Sequence, residues 1–145
     1  MSNLQTGPVI PEDICAYLRD LLSACPEIES FWLFGSRANP TVNPPRDWDF
    51  LVFGSLEILA TLQGIDTLQR PDVDIFIVFD GNRFEGPWPI DGELKTGRLR
   101  TSIELEEMRK VYGYDWHNIS DTEASYTSTR HFRQRGFRAF RVYPP

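Results

Sequence analysis

The chain has 145 residues, 41% hydrophobic and 25% charged, a composition typical of one globular domain rather than of a disordered or fibrous chain. Its net charge of -6 argues against binding of nucleic acid or acidic membrane by the whole surface. Cys15 and Cys25 lack metal-ligand spacing, so we expect neither a zinc site nor a disulfide scaffold. No apolar run reaches the roughly 18 residues of a membrane helix, and we expect a cytoplasmic protein.

The first half of the chain predicts alternating helices and strands. A helix begins near Pro11 and ends at Pro26, because apolar residues recur between them at helical spacing. Four further elements are expected from their apolar residues and from the glycines that end them. They are a buried strand at 31–34, a strand at 47–53, a helix capped by Ser55 and weakened at Gly64, and an interior strand at 73–79.

The second half of the chain is interrupted by glycines and prolines between residues 86 and 92. We expect a strand at 93–100, a helix that begins at the capping box Thr101–Glu104 and ends at Gly113, and a last edge strand at 137–143. The domain organisation that follows is a flexible N-terminus at 1–9 and a single domain over 10–145.

Two aspartates on one predicted strand form the candidate site. Asp47 and Asp49 lie two residues apart, so their side chains point to the same face, about 6.5 Å apart along the strand. Two carboxylates on an otherwise apolar sheet repel each other, and a divalent cation is expected to neutralise them. Mg²⁺ prefers such ligands and serves phosphoryl and nucleotidyl transfer. Asp74, on the next clearly predicted strand, is the expected third carboxylate. Asp72 is the alternative, because residues two apart on a strand point to the same face.

The turn Gly35-Ser36 is the expected phosphate contact. A glycine lets backbone N–H groups approach a phosphate closely, and the serine hydroxyl adds a donor. Arg37 follows directly in the sequence. Its guanidinium is placed either to hold a polyphosphate by a charge-assisted hydrogen bond or to face solvent.

These residues resemble the nucleotidyltransferases of the DNA polymerase beta superfamily, especially its small stand-alone bacterial members. The resemblance rests on Gly35-Ser36, ten intervening residues, Asp47-Trp48-Asp49 and the later Asp74. It covers residues 14–80 and implies an α/β fold, with a mixed β-sheet and flanking helices. It also implies that Gly35 and Ser36 hold a triphosphate, that Asp47 and Asp49 bind two Mg²⁺ ions, and that Asp74 shares a metal and accepts the proton of the attacking hydroxyl.

We therefore expect a nucleotidyltransferase that moves a nucleoside monophosphate, AMP from ATP, to a hydroxyl and releases pyrophosphate. The acceptor would be bound by the C-terminal extension, residues 81–145, or supplied by a partner protein. The alternative is a catalytically degenerate binding or regulatory module, for example one partner of a toxin–antitoxin pair.

Nucleic-acid binding through the C-terminus is a further alternative, which the acidic net charge disfavours. Five arginines lie within the last 16 residues: Arg130, Arg133, Arg135, Arg138 and Arg141. Their spacing also suits a solvated face. Trp48, Trp88 and Trp116 are expected in the core rather than stacked on a base.

Overall fold

Eight strands close a β-barrel in the computed structural model, which describes residues 8–40, 45–89, 92–100, 113–128 and 137–145. Each strand pairs with its neighbours in sequence, and the last strand returns to the first. The strands are β1 (Ser30–Phe34), β2 (Trp48–Phe53), β3 (Val73–Phe79), β4 (Arg83–Glu85), β5 (Thr96–Arg100), β6 (Gly113–Asn118), β7 (Glu123–Ser128) and β8 (Phe137–Tyr143).

The helices of the described residues belong to the first half of the chain. Helix α1 (Glu12–Ala24) precedes β1, and α2 (Leu56–Gln63) with a 3-10 turn (Asp66–Leu68) connects β2 to β3. This connection makes β2 and β3 parallel, because a crossover through a helix returns the chain to the same end of the sheet. The other parallel pair is β5 with β6. Within the described residues, no helix is long and apolar enough to cross a membrane.

Strands β1 to β3 are covered on both faces. Phe31 and Leu33 point outward with alternate residues of β2 and β3, and together with α1 and α2 they form one apolar cluster. The intervening side chains, such as Trp32 and Phe34, point into the barrel. Burial on both faces explains why these strands are nearly continuous apolar runs in the sequence.

Aromatic rings fill the barrel interior. An eight-stranded barrel is just wide enough for side chains to pack its centre. Rings such as Phe34, Phe76, Tyr114 and Tyr126 meet there, mostly edge to face, with centroids 5.3 to 6.1 Å apart. The barrel is therefore a packed core rather than a channel along its middle.

The predicted α/β architecture, a mixed sheet flanked by helices, is wrong. The sheet closes into a barrel, and the apolar cluster under α1 and α2 covers only the part made by β1 to β3 and the adjoining β8. Three strands, β4, β6 and β7, were not expected because they are short or buried on one face only. In β6, for example, Tyr114 and Trp116 are buried while His117 is exposed. These strands extend the sheet until it meets β1, so the fold contradicts the resemblance to nucleotidyltransferases of the DNA polymerase beta superfamily.

Several individual elements are confirmed. Helices α1 and α2 and strands β1, β2, β3 and β5 lie where the sequence predicts them, within a few residues. The strand at 137–143 is present as β8, but it is not an edge because it pairs with both β7 and β1. The predicted helix from Thr101 lies outside the described residues, as do Arg130, Arg133, Arg135 and most of the N-terminus at 1–9.

Candidate functional site

An aspartate pair lies at one end of the barrel, where β2 and β3 begin. The parallel register places Asp49 beside Asp74. Both share the inward face of their strands with Leu51 and Phe76, and their side chains are hydrogen-bonded to each other. Asp47, just before β2, is exposed and interacts with Asp49 electrostatically. The structure therefore places Asp49 and Asp74 in contact, whereas Asp47 lies outside this hydrogen-bonded pair.

Burial raises the pKa of the Asp49 carboxyl well above its usual range. The negative charge of Asp74 and the hydrogen bond with it raise this pKa further, and Asp47 adds a smaller effect in the same direction. The positive charge of Arg46 opposes them. Two ionised carboxylates in such contact repel each other, so the pair is more stable when it shares one proton.

Gly35 lies directly against this pair. Its φ of +76° is a left-handed conformation, and a Cβ atom built on it would lie 2.2 Å from Asp49 Oδ2. Glycine is thus required here both by backbone conformation and by the closeness of the carboxylate. The chain then makes a helical turn, in which Ala38 and Asn39 donate their backbone N–H groups to the Gly35 carbonyl at 3.1 Å.

Two residues that the sequence did not indicate hold Gly35 in place. The Gly35 N–H donates to the hydroxyl of Tyr126 on β7, at 2.8 Å. The Asn39 side chain donates from Nδ2 to the carbonyls of Gly35 and Arg138, both at 2.9 Å, and accepts from the Arg138 N–H at 2.7 Å. Asn39 is only 6% exposed. The sole signal for Tyr126 in the sequence is the alternation of polar and nonpolar residues in β7.

Ser36 and Arg37 fasten the turn to the residues before β2. The Ser36 hydroxyl accepts from the Arg46 N–H at 2.9 Å, which leaves its own proton to donate. Arg37 Nε donates to the Arg46 carbonyl at 2.7 Å, and its guanidinium lies 4.8 Å from the centre of the Trp48 ring. Arg37 therefore braces this loop. Asp72 binds Arg70 at 2.5 Å, away from the pair, so Asp74 and not Asp72 joins Asp49.

The donor chemistry of the pair fits a hard divalent cation such as Mg²⁺. Carboxylate oxygens are its preferred ligands. The pKa of Asp49 is raised first by burial and then by the negative charge of Asp74, and a cation would compensate that charge. In the part of the chain that the structure describes, no three Asp, Glu, His or Cys side chains are already arranged as metal ligands. Asp49 and Asp74 would hold such an ion, with Asp47 as the nearest additional carboxylate.

The site thus joins an acid pair, a glycine turn and a serine hydroxyl at one end of the barrel. Comparisons of the chain with protein families, with curated proteins and with solved structures find no match.

Proposed function

We propose that this protein is a Mg²⁺-dependent enzyme that transfers a nucleoside monophosphate, AMP from ATP, to a hydroxyl group. The observation that carries the proposal is the hydrogen-bonded, partly buried pair Asp49–Asp74 on adjacent parallel strands against Gly35. A pair of acids partly withdrawn from water costs stability unless something offsets its charge. A cation with attached phosphates supplies that offset, and nucleotidyl transfer uses carboxylate-bound Mg²⁺ in this way.

The chain's own residues would act in the following roles. Asp49 and Asp74 would hold the cation, which when bound would supply charge neutralisation at the triphosphate. Asp74 accepts the proton of the acceptor hydroxyl, whose oxygen bonds to the α-phosphorus as pyrophosphate leaves. The absence of a side chain at Gly35 leaves room for the Asp49 carboxylate beside the turn.

Ser36 is the residue of the turn that we expect to donate a hydrogen bond to a phosphate. The Gly35 N–H is already bound by Tyr126, so that amide is not open to a phosphate while this hydrogen bond lasts. The Ser36 hydroxyl accepts a backbone N–H and keeps its own proton for a phosphate oxygen. Arg37 would contribute by bracing the loop rather than by contact.

A second candidate function is nucleotide binding without turnover, in a regulatory module. It is favoured by the engagement of Gly35 with Tyr126 and by the exposed position of Asp47 outside the hydrogen-bonded pair. A module of this kind would bind the nucleotide but would release no pyrophosphate. A partner protein could then respond to the bound state.

Calorimetric titration with ATP, with and without Mg²⁺, tests both functions. We expect Mg²⁺-dependent binding in the wild type and its loss in Asp49→Asn and Asp74→Asn. Asp72→Asn is the matched control, because Asp72 shares the start of β3 but binds Arg70 instead. Release of pyrophosphate in the presence of cell extract as the acceptor source supports the enzyme, and binding without release supports the module. Wild-type protein that binds neither ATP nor another nucleoside triphosphate contradicts both.

A further inference from the structure

A cavity of about 780 Å³ opens at the opposite end of the barrel from the acid pair. It is lined by the end of β2 at Phe53, the turn after β3 at Gly81 and Asn82, and the end of β6. Asp49 and Phe53 lie four residues apart on one strand, which corresponds to about 13 Å. Packed interior rings, including Phe34 and Phe76, fill the barrel between the two ends.

Three aromatic side chains form the floor of this cavity. Trp32 lies 5.7 Å from Trp116 and 6.3 Å from Phe53, measured between ring centres, and the two tryptophans meet nearly edge to face. Both tryptophans are less than 10% exposed, whereas Phe53 is half-buried. Aromatic floors of this kind suit flat ring systems, and cavities of about 300–1,000 Å³ are typical of small-molecule sites.

The rim of the cavity carries hydrogen-bonding groups that are not engaged elsewhere in the described residues. Asn118 accepts from Trp116 Nε1 at 3.0 Å through its Oδ1 atom, and its Nδ2 group makes no hydrogen bond there. The side chains of Asn82, Glu29 and Ser30 also line the cavity and make none with the described residues. Asparagine amides offer both donors and acceptors at the edge of a bound ring.

We propose that this cavity binds a planar heteroaromatic compound of the nucleobase class, separately from the acid pair. A purely apolar ligand would bury the rim amides without partners, which is unfavourable. The Glu29 carboxylate and the Arg98 guanidinium both line the cavity, so its charged groups of opposite sign favour neither an anionic nor a cationic ligand. An uncharged flat ring with donors and acceptors on its edge satisfies both the aromatic floor and the rim.

Tryptophan indole signals in ¹⁵N NMR spectra test this proposal, with adenine and uracil as probes and cyclohexanol as a non-planar control. The chain has four tryptophans, and Trp88 lies elsewhere, with its Nε1–H bound to the Leu62 carbonyl. We expect a base to shift the signals of Trp32 and Trp116 and to leave that of Trp88 unchanged. The titration contains no Mg²⁺ or ATP and is repeated in Asp49→Asn, so its result does not depend on the function of the acid pair.

Two variants probe the cavity itself. Ser30 is opposite Phe53 in the β1–β2 register and faces inward with Trp32, so a phenyl ring in Ser30→Phe would fill the cavity and weaken binding at least about tenfold. Asn118→Ala removes one exposed amide and is expected to weaken binding by about three- to tenfold. Asp72→Asn, at the other end, should bind as the wild type does.

Three results would overturn the proposal. One is the absence of any shift of Trp32 and Trp116 with either base. Another is an equal response to cyclohexanol, which would show that flatness is not recognised. The third is wild-type affinity in both Ser30→Phe and Asn118→Ala, with folding of each variant checked by its NMR spectrum.

Discussion

Replacing Gly35 with alanine measures how tightly the glycine turn is packed against the acid pair. Two costs add in this variant. The left-handed φ of +76° costs a residue with a side chain about 1–2 kcal/mol. The new Cβ would lie 2.2 Å from Asp49 Oδ2, and the resulting overpacking costs about 1–3 kcal/mol more because Asp49 is held by Asp74. We expect a total loss of about 2–5 kcal/mol in the free energy of unfolding.

Gly81→Ala is a matched control for the backbone term. Gly81 has the same φ of +76°, but a Cβ atom there would meet nothing within 4 Å. Urea unfolding at neutral pH without metal should therefore give a loss of only about 1–2 kcal/mol for this variant. The difference between the two variants isolates the collision with Asp49.

A double-mutant cycle with Asp49→Ala locates the collision. Removing the carboxylate leaves room for the new methyl group, so Gly35→Ala should cost about 1–3 kcal/mol less in the Asp49→Ala background than in the wild type. Equal losses in Gly35→Ala and Gly81→Ala, together with a coupling energy near zero, would refute the close packing of the turn against Asp49.

Three further predictions concern the same end of the barrel. The raised pKa of Asp49 stabilises the fold below its unfolded pKa of about 3.9, and this contribution is lost as the pH rises through the folded pKa. In unfolding experiments without metal, the free energy of unfolding of the wild type should therefore fall relative to that of Asp49→Asn as the pH rises, with a slope of up to about 1.4 kcal/mol per pH unit. Parallel plots of the two free energies against pH would contradict this. Asn39→Ala should cost about 2–4 kcal/mol, because it leaves buried groups of Gly35 and Arg138 unpaired, whereas exposed Asn82→Ala should change stability by less than about 0.5 kcal/mol. Tyr126→Phe should cost about 1–3 kcal/mol and speed hydrogen exchange of the Gly35 amide; an unchanged exchange rate would show that this hydrogen bond is not made in solution.

The local elements could be predicted from the sequence because their signals are local. Helix α1 has apolar residues at helical spacing between two prolines, and β2 and β3 are apolar runs bounded by glycine or aspartate. The pairing of Asp49 with Asp74 could also be anticipated, since two strands joined through one helix tend to lie side by side and parallel. Asp74 was predicted as the third carboxylate in this way, whereas Asp47 and Asp49 were predicted from their two-residue spacing.

The closure of the barrel could not be predicted, because it depends on weak strands and on pairing between distant residues. Strand β7 carries Ala124 and Tyr126 inward between polar residues, a pattern that solvent-exposed loops share. Its role appears only when β8 joins it to β1, which brings Tyr126 to Gly35 across 91 positions of the sequence.

The sequence by itself determined which residues form α1, β1, β2, α2 and β3, because side-chain periodicity and chain-breaking residues act over a few positions. It also predicted that Asp74 comes alongside Asp49 if β2 and β3 pair, since these are consecutive strands joined by a helix. Only the tertiary structure decided that the sheet closes, that Asn39 and Tyr126 hold the turn, and that an aromatic cavity forms at the far end. These features arise from contacts between strands far apart in the chain, which no local pattern encodes.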